Sequence, residues 1–191
     1  MKVTIIGGSD RGECAAAAED LAERVIAAGG EANVWLLPAG ITTFCDGCGL
    51  CFNGEESKCR HAREIMPIRK SMLASDAVAF VTPSVSGHAP APVVNFFNYL
   101  EYMQIDRRPL PEMARKRFVI FSLGGRRAGE DVADCVRLWG ASDVRVLTYS
   151  SASGSRLLLS APKKKPGFFA RLRIKRLAKR SGTPLPPDFF G

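Results

Sequence analysis

Three times in this chain a short run of β-branched and aromatic apolar residues stops in a loop of Gly, Pro and Ser that leads to a helix-periodic stretch. Val3-Thr4-Ile5-Ile6 ends in Gly7-Gly8. Ala77–Val81 ends before Pro83-Ser84-Val85-Ser86-Gly87-His88, and Arg117–Leu123 ends in Gly124-Gly125. Two further runs, Asn33–Leu37 and Val144–Tyr149, complete a set of five strands. The strands are largely continuous in apolar residues, the pattern of strands buried on both faces. Helices are expected from about Glu13 to Ala28, with Ala17, Leu21, Val25 and Ala28 in its apolar set. Others are expected over Ala62–Ala74 with an interruption at Pro67, from Ala91 or Pro92 to Tyr102, and over Glu130–Trp139. Strands alternating with helices give an α/β fold: a parallel sheet with helices on both faces. Right-handed crossovers restrict its topology. Ligands in such sheets bind outside the carboxyl ends of the strands, which gathers the loops 8–13, 83–88 and 122–126 at one edge.

The second strand is followed by a connection, residues 38–61, without clear periodicity. A loop of that length inside a compact domain usually carries function. Here it carries Cys45, Cys48, Cys51 and Cys59, spaced C-x2-C-x2-C-x7-C, four of the chain's six cysteines. Gly47 and Gly49 between them relax the steric limits on φ and allow a tight wrap. Soft thiolate ligands select Zn, Cu(I) or an iron–sulfur cluster. No His stands at zinc-finger spacing, and three close cysteines with a fourth further on is a cluster-like arrangement. Structural zinc, free thiols and a disulfide are the alternatives. His61, two residues past Cys59, is a possible substitute ligand, while Cys14 and Cys135 read as packing residues. His88 reads as a solvated loop histidine, and Arg126-Arg127 as surface charge.

At 46% hydrophobic, the chain has enough apolar residues for a full core. Met1-Lys2 runs straight into a strand with no signal-peptide pattern, and no apolar run approaches the roughly 20 residues of a membrane span. The expected location is cytoplasmic, with reduced thiols. The net charge of +8 is misleading as a whole-chain figure. Nine Lys/Arg and no acid lie between Lys163 and Arg180, and Asp188 is the one charge beyond them, so residues 1–162 balance to zero. Two regions are expected: a domain over 1–150 and a basic extension over 151–191. The segment 163–180 interleaves Phe168, Phe169, Leu172, Ile174 and Leu177 with its bases. It suits an anionic membrane surface, nucleic acid, or packing on the body or a partner subunit; the last is favoured.

From Met1 to about Tyr149 the sequence resembles the flavodoxin-like NAD(P)H-dependent FMN reductases, and among them the iron–sulfur flavoproteins. The resemblance rests on Ile6-Gly7-Gly8-Ser9-Asp10-Arg11, the Cys45/Cys48/Cys51/Cys59 run, Asp76-Ala77-Val78, Pro83 with Gly87, Gly124-Gly125 and Trp139-Gly140. It implies a flavodoxin-like five-stranded sheet in the order 2-1-3-4-5. It implies FMN, its phosphate at Ser9, Arg11, Gly12, Glu13 and Cys14. The flavin ring would lie near Pro83, Ser84, Val85, Ser86 and Gly87 and near Ser122, Gly124 and Gly125. It also implies a [4Fe–4S] cluster on the four cysteines, near the flavin of a partner subunit in a dimer or tetramer. NAD(P)H as donor and a redox partner such as ferredoxin are implied in turn.

The first loop keeps Ser9 and Arg11 of the family's S-P-R-x-x-S-N-T pattern but reads Asp10, Gly12, Glu13, Cys14, Ala15 and Ala16 elsewhere. The second loop has Ser84-Val85-Ser86 where aromatics are common. Two functions follow. One is an iron–sulfur flavoprotein that relays electrons between a reduced donor and an acceptor. The other is a flavodoxin-like binding or scaffold protein without FMN that keeps a four-cysteine metal site. No general acid/base pair or nucleophilic triad stands out, as expected where cofactors carry the chemistry.

Overall fold

The structure, a computed structural model, describes residues 1–103 and 111–149. The basic segment 163–180 and the rest of the expected extension lie outside the described residues. Five strands, β1 (Lys2–Gly7), β2 (Glu31–Leu36), β3 (Ala77–Pro83), β4 (Arg117–Leu123) and β5 (Asp143–Tyr149), form one parallel sheet in the order β2-β1-β3-β4-β5. This is the expected topology. The register aligns the strand ends that matter. Gly7 lies opposite both Leu36 and Val81, and Pro83 lies opposite Leu123. The loops after β1, β3 and β4 therefore leave the sheet along one edge.

Alternate residues of the central strands feed two cores, one on each face. On one face Val3, Ile5, Ala79, Val81, Phe121 and Leu123 meet helix α1 (Gly12–Ala27) through its small buried residues Cys14, Ala17, Ala18 and Ala22. On the other, Ile6, Val78, Phe80, Phe118 and Ile120 pack beneath α3 (Ala62–Ala74), α4 (Ala91–Tyr99) and α6 (Arg126–Leu138). There Phe80, Phe96, Phe97 and Trp139 form a chain of edge-to-face, tilted and stacked rings with centroids 5.0–6.3 Å apart, spacings that add to burial alone. Two one-turn helices, α2 (Leu37–Gly40) and α5 (Pro111–Ala114), complete the set.

Several features differ from the sequence expectation: β2 begins two residues early, at Glu31, and β3 runs two residues further, to Pro83. Helix α3 is not interrupted: Pro67 sits inside it. The carbonyl that loses its partner belongs to Arg63, which like Pro67 is exposed, so water replaces the missing bond. Helix α4 ends at Tyr99, three residues early. Helix α6 begins four residues early, at Arg126, and Gly129 within it is a contact residue. A Cβ there would lie 2.7 Å from Val146 Cγ1 and 2.9 Å from Ser122 Cβ, so only glycine lets the helix approach β4 and β5 this closely.

Candidate functional site

The loops at the sheet edge touch one another. Gly8 follows β1, and its amide donates to Val81 O at 2.8 Å. A Cβ on Gly8 would stand 2.6 Å from Val93 Cγ2 and 3.3 Å from Pro83 Cδ. The first loop thus rests against the start of the second and against α4. Ser84 bridges the second and third loops. Its amide donates to Leu123 O at 2.9 Å, and its hydroxyl oxygen is 3.6 Å from where a Gly125 Cβ would stand. Val85 and His88 exchange backbone bonds of 2.9 and 3.0 Å around Ser86 and Gly87, both at positive φ, 52° and 87°. This tight turn carries the half-exposed Val85 outward.

The residues expected at a phosphate differ in what they offer. Helix α1 starts at Gly12 with Arg11 as its N-cap and no side chain capping it. Its first amides point at the loop, where the helix dipole favours an anion. The Arg11 side chain is 91% exposed and only 3.7 Å from Asp10, free to swing toward an anion. The Ser9 hydroxyl accepts from Arg11 N at 3.3 Å. The Cys14 side chain is buried beneath the loop. Its thiol donates to Val81 O at 3.2 Å, and burial pushes its pKa up. Only its backbone faces the loop's end of the helix. Ser122 is likewise turned inward: its hydroxyl donates to Gly125 O and accepts from Gly129 N at 2.9 Å. Its side chain shapes the third loop and does not present itself to a ligand. Gly12 leaves open space where a side chain would project, while a Cβ on Gly124 would rest 3.8 Å from Ser84 Cβ. The uncapped N-terminus of α1 and the exposed Arg11 lie where the family resemblance puts a phosphate.

The cysteine connection lies beside this cradle. Residues 38–61 are less irregular than expected, containing α2 and 3-10 turns at Leu50–Asn53 and Glu56–Lys58. Gly47 and Gly49 have φ of 67° and 76°, the freedom their positions suggested. Cys45, Cys48, Cys51 and Cys59 are unbridged thiols, and all four line one cavity of about 230 Å³ with Phe52, Glu56, Met66, Tyr99 and Tyr102. Burial pushes the Cys51 thiol up, and the Cys45 and Cys48 thiols close by push it further. Among the described residues no three Cys, His, Asp or Glu converge tightly enough for one ion. A single zinc ion draws its sulfurs to about 2.3 Å from the metal. A cluster binds each cysteine to a different iron, so its ligands ring a wider space. The four cysteines share one cavity without forming a single-ion site among the described residues.

The loop is held by side chains that the sequence reading did not select. Thr43 Oγ1 lies 2.8 Å from His61 Nδ1, 3.1 Å from Tyr99 OH and 3.3 Å from Glu64 Oε2. Glu64 also accepts from the amide and hydroxyl of Thr42, each at 3.0 Å. These bonds outweigh its desolvation and hold its carboxyl below the usual range. Asp46 pairs with Arg60 at 2.5 Å and lies 3.3 Å from His61 Nε2. Although desolvation works against it, these partners hold its carboxyl low. From α4, Asn95 Nδ2 donates to Thr43 O at 2.7 Å while its Oδ1 accepts from Cys45 N at 3.4 Å. His61 is therefore a buried bracing residue. His88 is an exposed loop residue, as read, whose Nδ1 also lies 3.1 Å from Asp131, which pairs with Arg127, while Arg126 pairs with Glu130. A signal for Asn95 existed: it is a lone amide among Val93, Phe96 and Tyr99 on the buried face of α4.

Taken together, a doubly wound parallel sheet in this strand order with a loop cradle at its carboxyl edge defines a flavodoxin-like protein. The sequence pattern of the NADPH-dependent FMN reductases matches residues 1–153, and the chain belongs to that family. No curated protein matches the sequence. Among solved structures, the azoreductase AzrA is similar at 15% identity and a TM-score of 0.58, over 78% of this chain and 87% of its own. An FMN-dependent NADH-azoreductase from Bacillus anthracis in complex with FMN shares 10% identity at a TM-score of 0.58, covering 95% and 99%. An NADH:FMN oxidoreductase in its apo form shares 14% at 0.55, covering 99% and 92%. At these identities the likeness is one of fold. No described helix is long and apolar enough to cross a membrane.

Proposed function

We propose that this protein is an FMN-dependent oxidoreductase that takes electrons from NAD(P)H and relays them through a [4Fe–4S] cluster on Cys45, Cys48, Cys51 and Cys59. The observation that carries the reading is the convergence of those four thiols on one cavity within a family of FMN reductases. Bound FMN supplies a carrier that exchanges two electrons with a nicotinamide and one at a time with a cluster. The chain's own part is to hold both groups. The α1 amides and Arg11 bind the phosphate, and Pro83–Gly87 with Gly124-Gly125 bound the ring. Asn95, Thr43 and His61 fix the cysteine loop before any metal arrives. Helix α4 joins the two sites, since Val93 touches Gly8 at the cradle while Asn95 and Tyr99 brace the cysteine loop.

The protein works as a cytoplasmic homo-oligomer in this reading. Phe44 and Phe52, exposed at 71% and 50% on the cysteine loop, are apolar surface suited to a partner subunit. An electron acceptor of the ferredoxin type suits the one-electron chemistry of the cluster. The second reading, a scaffold without FMN, draws on the first loop: Asp10 and Glu13 place carboxylates near the α1 N-terminus, where they oppose a phosphate dianion. Cys48→Ser tests the ligand assignment. Cys48 is exposed, so the variant folds, and iron and acid-labile sulfide are expected to fall to background after anaerobic purification. Full iron and sulfide in that variant removes the four-cysteine cluster from the account.

A further inference from the structure

The side-chain hydroxyls and the thiol around the first loop are turned onto the protein's own backbone. Ser9 Oγ donates to Arg11 O at 3.4 Å and accepts from Arg11 N at 3.3 Å. Thr82, fully buried in β3, donates to Pro83 O at 3.2 Å. Cys14 donates to Val81 O, and Ser122 to Gly125 O. The loop has one cation, Arg11, and its Nε lies 3.7 Å from Asp10 Oδ1. Glu13 adds a second carboxylate, exposed in the first turn of α1. Residues 9–14 thus carry one positive and two negative side chains.

A phosphate dianion at such a loop draws on hydroxyl donors, helix amides and cations. Here the hydroxyls are engaged elsewhere, and the other two sources are opposed. A partial charge of about +0.5 at the α1 N-terminus and one guanidinium stand against two carboxylates. At equal distance a carboxylate repels a phosphate as strongly as a guanidinium attracts it. The ring side of the cradle differs. Pro83, Gly87, Gly124 and Gly125 carry no charge, and Val85 offers a half-exposed apolar side chain. No charge there opposes a flat ring.

We infer that this cradle selects a flavin by its ring and not by its phosphate: Asp10 and Glu13 cancel the pull of α1 and Arg11, so riboflavin is taken as readily as FMN. The inference rests on the flavin-dependent reading above and names the class of ligand that site accepts, isoalloxazines with or without a 5′-phosphate. Asp10 acts twice, holding Arg11 back in an ion pair and repelling the dianion. Glu13 acts by repulsion alone. Neither residue touches the reacting ring; both set which flavin enters.

The test is a fluorescence titration of the full-length, flavin-free protein with FMN and with riboflavin. It compares wild type, Asp10→Asn, Glu13→Gln and the double variant, changes that keep side-chain shape at sites outside the core. In wild type the two Kd values are expected to agree within about threefold. The double variant is expected to bind FMN about tenfold more tightly and riboflavin no differently. That gain is expected to shrink as salt rises to about 1 M, where the Debye length falls to about 3 Å. A wild type that prefers FMN about a hundredfold, or a double variant with unchanged FMN affinity, overturns the inference and leaves flavin binding standing. An equal gain for both flavins overturns the charge argument and the inference with it. Binding of neither flavin overturns the flavin-dependent reading itself.

Discussion

Asn95→Ala removes the side chain that binds the cysteine-loop backbone from helix α4, leaving the Tyr99 contact to Thr43 in place. Asn95 is 5% exposed, and its amide makes two bonds, to Thr43 O at 2.7 Å and from Cys45 N at 3.4 Å. A net hydrogen bond is worth about 0.5–1.5 kcal/mol, more when a buried partner is left unpaired. Both partners here are half-buried, so water reaches them in part, and the 3.4 Å bond is the weaker. About 2 kcal/mol is the sum, with the small cavity adding in the same direction. For a chain of this size that lowers Tm by about 4–8 °C. Differential scanning calorimetry on the metal-free protein reads this directly. The rate of iodoacetamide capture at Cys45 reads the loosened loop and is expected to rise. A Tm within about 1 °C of wild type and unchanged alkylation show that Asn95 does not brace the loop, and its part in a pre-set cysteine site fails.

Gly8→Ala places a methyl group 2.6 Å from Val93 Cγ2 and 3.3 Å from Pro83 Cδ. Overpacking of this kind costs about 1–3 kcal/mol and parts the first loop from the second; a lower denaturation midpoint and weakened FMN retention in flavin fluorescence are expected, and wild-type values for both contradict the cradle as described. Glu64 supplies a pH dependence. Hydrogen bonds from Thr42 and Thr43 hold its folded pKa below the unfolded value, so its contribution is complete above the usual carboxylate range near about 4.3 and is lost as pH falls through the depressed value. Glu64→Gln is expected to flatten the acid limb of a urea-midpoint profile; an unchanged profile assigns that limb to other groups.

The fold was legible because its signals are local and repeated. Continuous apolar strands such as Ala77–Val81, each followed by a Gly- or Pro-bearing loop, admit few arrangements other than a buried parallel sheet. The cysteine cavity was legible as four closely spaced thiols, because thiol spacing survives without knowledge of the fold. Its supports were not. Thr43, Glu64 and Asn95 meet across separations of 21 and 52 positions, and no sequence period links a loop threonine to an amide on a later helix. Cys14 and Ser122 stood at the right places in the chain, but the pitch of α1 and the turn after β4 direct their side chains inward.

The central claim is that this family member carries a flavin and an iron–sulfur centre in one chain. The measurement that tests it most directly is the iron, sulfide, zinc and flavin content of anaerobically purified protein, taken with its absorbance spectrum. Flavin bands over a broad iron–sulfide shoulder, with four irons and four sulfides for each chain as a [4Fe–4S] cluster requires, are the result predicted. A colourless protein that holds zinc contradicts it and leaves the four cysteines a structural role.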